Sequence, residues 1–293
     1  LLSGQAVLLG PPTFGKFAVV RFCFVLVIVT ALCACASAAN VRQNRVLFIN
    51  GDHMPENGYP HSRTHDDGAK PESFTRLRRE VLEASLKLGV DELVLAASNA
   101  ITAKTLASYG VVVLGSNGRV VLDDEVQALG EYYDNGGSVL VYADFQYGPD
   151  NWASDNAFLN RFDIEVLPDN FQPAVKIDTQ ISSSPILSGV TVIQGEGISQ
   201  FVIRQRAHSQ VKILLTCAPP DRPGCILPPA DAARVQLGDA IACVFTAENP
   251  KGGRLAGVCD RNLFHNGPGP GSDIDQADNR VFARNLFAWL AHK

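Results

Sequence analysis

Asn135-Gly136-Gly137-Ser138-Val139-Leu140-Val141-Tyr142 passes from a helix end to a strand without a spacer. Glycine takes the left-handed backbone that terminates a helix at no steric cost, so Asn-Gly-Gly reads as a stop. The residues after it are continuously apolar or small and rich in valine, which marks a strand buried on both faces. Upstream, Asp123 to Tyr133 carries Val126, Leu129 and Tyr133 on one helical face, so a helix feeds the turn. Before that helix, Val111-Val112-Val113-Leu114 is a second buried strand, ending at Gly115-Ser116-Asn117-Gly118. Strand, helix and strand, with both strands fully apolar, is the local unit of a parallel sheet.

The same grammar extends towards the N-terminus. Arg45-Val46-Leu47-Phe48-Ile49-Asn50 reads as the first strand. A helix opened by Pro71 follows, with Phe74, Leu77, Val81, Leu82 and Leu86 recurring until Gly89. Leu93 to Leu95 is a further strand and Thr102 to Ser108 a short helix. Right-handed crossovers predict Arg45–Ile49, Leu93–Leu95, Val111–Leu114 and Ser138–Tyr142 as adjacent strands. The expected fold is α/β, a flavodoxin-like three-layer sandwich with a mostly parallel central sheet.

Beyond Asp144 the pattern loosens. Asn156 to Arg161 reads as a short helix, and Phe171 to Val211 as loops with short strands. Ile241–Thr246 and Arg254–Cys259 read as strands joined by Glu248-Asn249-Pro250-Lys251-Gly252-Gly253. Asn279 to Ala291 is an apolar helix, with Asp278-Asn279 as its expected cap. Such a helix needs a large partner, so these segments are expected to continue the same sheet. No internal repeat is present.

Composition fits a packed domain: 46% of the 293 residues are hydrophobic and 19% charged, which argues against disorder. Lys16 and Arg21, the apolar run Phe22 to Val29 and the Ala36-Ser37-Ala38 triplet form a secretory signal pattern. Residues 1–38 are therefore expected to be removed, with residues 39–293 as a single domain and the mature chain secreted or otherwise extracytoplasmic. The competing reading is an uncleaved anchor. Loss of Lys16 and Arg21 takes the net charge from −5 to −7. No basic stripe remains, so neither nucleic acid nor a membrane beyond the N-terminal signal is expected as a partner. Cys217, Cys225, Cys243 and Cys259 stay, an even number that suits two disulfides in an exported chain. The short loop favours Cys217–Cys225, which leaves Cys243 and Cys259 facing each other on neighbouring strands.

Four stretches carry a resemblance. They are the Val111–Gly115 strand, the Tyr132–Leu140 helix-to-strand turn, Pro185-Ile186-Leu187-Ser188-Gly189-Val190, and Gly253-Arg254-Leu255-Ala256-Gly257-Val258-Cys259-Asp260-Arg261-Asn262-Leu263-Phe264. With Asp278-Asn279 opening the last helix, this ordered set resembles the class I glutamine amidotransferase-like superfamily. It is most similar to the non-amidotransferase branches, the trehalose-utilisation-type and gliding- or ciliary-transport-type domains. The resemblance implies a flavodoxin-like domain from about Arg45 to the C-terminus. In true amidotransferases a nucleophilic cysteine sits on the elbow after the strand that here is Val139 to Tyr142. This chain has Ala143-Asp144-Phe145 instead, so glutamine hydrolysis is not expected.

Ligands of open parallel sheets bind at the carboxyl ends of the strands. The residues leaving those ends include Asp52, His53, Ser116, Asn117, Asp144, Asp260 and His265, which form the expected ligand-binding set. Asp, Asn and Ser also cap helices and build turns, so the same residues have a bland alternative. His53, His61, His65, Asp66 and Asp67 have metal-ligand chemistry but match no metal spacing, so no metal and no cofactor are expected. The expected function is a non-catalytic domain binding a small polar ligand, a carbohydrate being one candidate, or a protein partner. The alternative is a hydrolase pairing Asp144 or Asp260 with His53 or His265, with or without a metal. An acid and a histidine in a concave pocket would favour the hydrolase; a plugged strand edge would favour the binding domain.

Overall fold

The computed structural model describes residues 44–51, 74–95, 100–115, 120–143, 149–167, 175–178, 183–195, 198–216, 229–267 and 273–293. The expected signal segment and the Cys217–Cys225 bridge lie outside them. Within that set the strands are β1 (Arg45–Gly51), β2 (Gly89–Leu95), β3 (Val111–Gly115), β4 (Ser138–Tyr142), β5 (Ile164–Val166) and β6 (Val175–Asp178). They continue as β7 (Val192–Gly195), β8 (Phe201–Ile203), β9 (Val211–Leu215), β10 (Ala240–Ala242), β11 (Val244–Glu248) and β12 (Arg254–Val258). The helices are α1 (Leu77–Ser85), α2 (Ala103–Leu106), α3 (Asp123–Asp134), α4 (Pro149–Leu159), α5 (Pro229–Ala232) and α6 (Asn279–Leu290).

The main sheet runs β2-β1-β3-β4-β12-β11-β9. The first five of these strands are mutually parallel, whereas β11 and β9 run antiparallel to their neighbours. Helices α1 and α6 pack together on one face, and α2, α3 and α4 form a contiguous layer on the other. This is the expected three-layer α/β architecture, with the four predicted strands adjacent. Strands β3 and β4 are apolar throughout because both faces are covered, and Val111 to Leu114 and Val139 to Tyr142 are at most 1% exposed. Among the described residues no helix is long and apolar enough to cross a membrane.

The helix-to-strand turn behaves as its sequence requires. Gly136 sits at φ +89°, and the Gly136 and Gly137 amides donate back to the Tyr133 and Tyr132 carbonyls. At the other end of α3, buried Glu125 takes the amides of Leu122 at 2.9 Å and Ile101 at 2.8 Å, which satisfies donors that the helix cannot.

Three details differ from the sequence reading. The strand expected over Ile241–Thr246 is divided at Cys243. Its first part, β10, pairs with β8 in a separate β10-β8-β5 sheet, and β11 enters the main sheet. Cys243 turns the corner by donating its amide to Leu215. Cys259 lies opposite it but takes no part in a disulfide, so the facing cysteines do not bridge.

The second difference is the winding of α1, which forms i→i+5 bonds such as Leu86 N–H to Val81 O at 3.0 Å. Leu77, Val81 or Leu82, and Leu86 recur at steps of four to five, which the wider coil stacks on one side. The third concerns Asp278, which occupies the cap position of α6 without capping it. Its carboxylate instead takes the Thr191 hydroxyl at 2.6 Å and the amides of Thr191 at 2.7 Å and Val192 at 3.0 Å, because those donors at the start of β7 point at it.

Candidate functional site

The register sets one common edge. Gly115 and Val258 both lie level with Tyr142, and Leu114 lies level with Ile49, so β1, β3, β4 and β12 end together. Of the expected site residues, Asp260 and His265 are described, whereas Asp52, His53, Ser116, Asn117 and Asp144 lie outside the described residues. The edge can therefore be built upward from the segment that follows β12.

Asp260 is fully buried and opens a single turn over Arg261–Phe264. Its Oδ1 accepts the Asn262 amide at 2.7 Å, so the carboxylate holds that turn. Its Oδ2 lies 2.5 Å from where a Cβ on Gly195 would be, so a side chain at residue 195 would push the carboxylate out of its place. The next crossover returns to the same place, because Ser199 donates its amide to Cys259 O at 2.9 Å. Ser199 is fully buried, and its hydroxyl has no hydrogen-bond partner. Gln200 is buried beside it, with its carbonyl held by the Leu167 amide at 2.8 Å.

His265 closes the turn. Its ring meets Phe74 edge-on at 5.1 Å. Phe74 stacks on Tyr142 at 6.2 Å, Tyr142 leans on Phe264 at 5.2 Å, and Phe264 stacks on Phe282 at 6.2 Å. These rings fill the end of β4. Complete burial pushes the Tyr142 hydroxyl well above its ordinary 10.0, so it stays protonated at any physiological pH. Asn266 then reaches α1, accepting the Arg76 amide on its Oδ1 at 2.8 Å.

Asn279 supports this wall from behind. Its carboxamide pairs with the Gln194 peptide in both directions, accepting from N at 3.0 Å and donating to O at 2.9 Å. It also donates to Asp273 O at 2.8 Å. Gln194 adjoins Gly195, so Asn279 fixes the strand against which Asp260 rests.

The structure thus brings Asp260 and His265 into one segment and gives them different partners. Among the described residues no three His, Cys, Asp or Glu side chains are grouped to hold a metal. Ser199, Gln200, Gly195 and Asn279 escaped the sequence reading. Asn279 reads from the sequence as part of a cap, and residues 171–211 show no period that would place Ser199 beside Cys259.

Neither a family model nor a curated protein sequence matches the chain. Solved structures do. The mmIFT52 N-terminal domain aligns over 84% of this chain and 97% of its own, with a TM-score of 0.59 at 13% identity. A cytoplasmic protein of Salmonella typhimurium LT2 covers 84% of this chain and 99% of its own, with a TM-score of 0.52 at 15% identity. A ThuA-like protein from Bacteroides uniformis covers 85% and 92%, with a TM-score of 0.50 at 15% identity. The likeness is one of fold. ThuA-like proteins have the glutamine amidotransferase-like fold, which agrees with the architecture expected from the ordered motifs. At these identities the neighbours say nothing about what occupies the edge.

Proposed function

We propose that the chain is an exported, non-catalytic binding domain of glutamine amidotransferase-like fold, whose binding face is the carboxyl edge of the sheet. The occupant is a small polar ligand or a partner protein. The observation that carries this reading is Asp260. A carboxylate that takes a backbone amide, packs against a glycine and is fully buried is built for holding a turn, and a general base must reach its substrate's proton. The aromatic packing around Tyr142 supports the same reading, since it fills the strand end. So does Ala143-Asp144-Phe145 at the elbow, where a thiol nucleophile would be needed.

The test is catalytic first. Purified protein incubated with L-glutamine or with p-nitrophenyl acetate is expected to release no ammonia and no p-nitrophenolate above the blank. Turnover that disappears in both Asp260→Asn and His265→Ala would establish the hydrolase instead. Export has its own measurement: N-terminal sequencing of secreted material is expected to begin at Ala39. Recovery of the intact apolar segment in membranes would replace the signal reading with the anchor.

A further inference from the structure

We propose that α1 is a two-state strut whose change of winding moves one wall of the strand-edge site. The observed state is the wide winding. Its first turn is α-wound, with Arg78 N–H bonded to Phe74 O at 2.9 Å, and the change to i→i+5 bonding begins at Leu77. Long wide-wound segments are rare, and short ones concentrate at functional sites. Leu77-Arg78-Arg79-Glu80-Val81-Leu82-Glu83-Ala84 consists almost wholly of residues that favour the α-helix, so intrinsic preference opposes the winding seen.

What holds the wide winding is the pinning of both ends. At the start, Phe74 is buried against Tyr142 and His265, Asn266 holds the Arg76 amide, and the Arg76 guanidinium pairs with Asp275. At the finish, buried Leu88 bonds back to Leu82, and Gly89 bonds to Asn44 before entering β2. As an α-helix the nine residues Leu77–Ser85 would span about 13.5 Å. The wide coil puts more residues in each turn and is therefore shorter, which fits one residue too many between fixed ends.

The apolar pattern serves either state. Phe74, Leu77 and Val81 share an α-helical face, whereas Leu77, Val81 or Leu82, and Leu86 suit the wide coil. Rewinding to α lengthens the segment and pushes Phe74 and Arg76, and with them His265 and Asn266, along the site wall. An element with two windings beside a site is a source of bistability. The inference rests on the strand edge being the binding face only for its consequence. The two windings themselves are measurable without any ligand.

The experiment is 15N relaxation dispersion on the full chain, the method that detects exchange on the microsecond to millisecond scale. The amides of Leu77–Leu86 and of His265–Asn266 are expected to show dispersion with one shared rate. Deleting exposed Ala84 removes the surplus residue and is expected to abolish the dispersion in both segments. Asn266→Ala, which frees the Arg76 amide and keeps the chain length, is expected to change the dispersion amplitude at least twofold in both. Flat profiles over Leu77–Leu86, unrelated rates in the two segments, or an unchanged amplitude in Asn266→Ala would each overturn the proposal.

Discussion

Asn279→Ala is the sharpest test of how the wall beneath the site is held. The native side chain is fully buried and makes three hydrogen bonds, two to the Gln194 peptide and one to Asp273 O. Each such bond contributes about 1 kcal/mol net, and a buried peptide group left without a partner costs about 1–3 kcal/mol. A loss of about 3 kcal/mol is expected, which for a chain of this size lowers Tm by roughly 6–12 °C.

Asn279→Asp separates hydrogen bonding from packing, because it keeps the shape and turns the donor into an acceptor. One carboxylate oxygen can still take the Gln194 amide, but the other faces two carbonyl oxygens and has no donor to offer unless protonated. The folded state therefore raises the pKa of that carboxyl group. By linkage the variant is close to wild type below the unfolded value of about 3.9 and loses about 1.4 kcal/mol per pH unit above it, until the raised folded value is reached. Urea denaturation at pH 4, 5.5 and 7 measures this directly. Asn279→Asp as stable as wild type at pH 7, or Asn279→Ala losing less than about 1 kcal/mol, would refute the hydrogen-bonded wall and the placement of Gly195 that depends on it.

Other outcomes are expected from the same reasoning. Ser199→Ala removes a buried hydroxyl that has no partner, so it should leave stability unchanged or raise it by about 1 kcal/mol; a clear drop in Tm would show that the hydroxyl is bonded in solution. The Thr191 hydroxyl, and then the Thr191 and Val192 amides, hold the Asp278 carboxyl below its ordinary 3.8. Its stabilising effect is thus present above 3.8 and is lost as pH falls through the lowered value. The stability gap between wild type and Asp278→Asn should be full at pH 6 and shrink at pH 3, and a gap independent of pH would contradict this. Cys259 should be alkylated only after unfolding, because it is buried and outside any disulfide. Cys243 is disulfide-bonded, so non-reducing peptide maps are expected to join it to Cys217 or Cys225.

Most of the main sheet was legible because its information is local. A valine-rich run before a polar loop has one low-energy use, a strand covered on both faces, and β3 and β4 follow it. The last helix was legible for the same reason, since its apolar stripe is continuous. What escaped was set by partners distant in sequence. The division at Cys243 depends on β8 lying on one side and Leu215 on the other, and neither is written into Ala240–Thr246. Asp278 reads as a cap because aspartate before a helix usually is one, yet its carboxylate takes the amides of Thr191 and Val192 instead.

The same logic separates the two halves of the site reading. That Asp260 would stand at the carboxyl edge followed from topology alone, because parallel strands end together. What Asp260 does there did not follow, because its bond to the Asn262 amide and its packing against Gly195 are set by a local turn and by a different strand. An aspartate at a strand end is equally suited to a ligand and to a turn, and only its burial and partners choose between them. Here they favour the turn, which moves the search for an occupant away from Asp260 itself. It points towards the wall that Phe74 and His265 form beside α1.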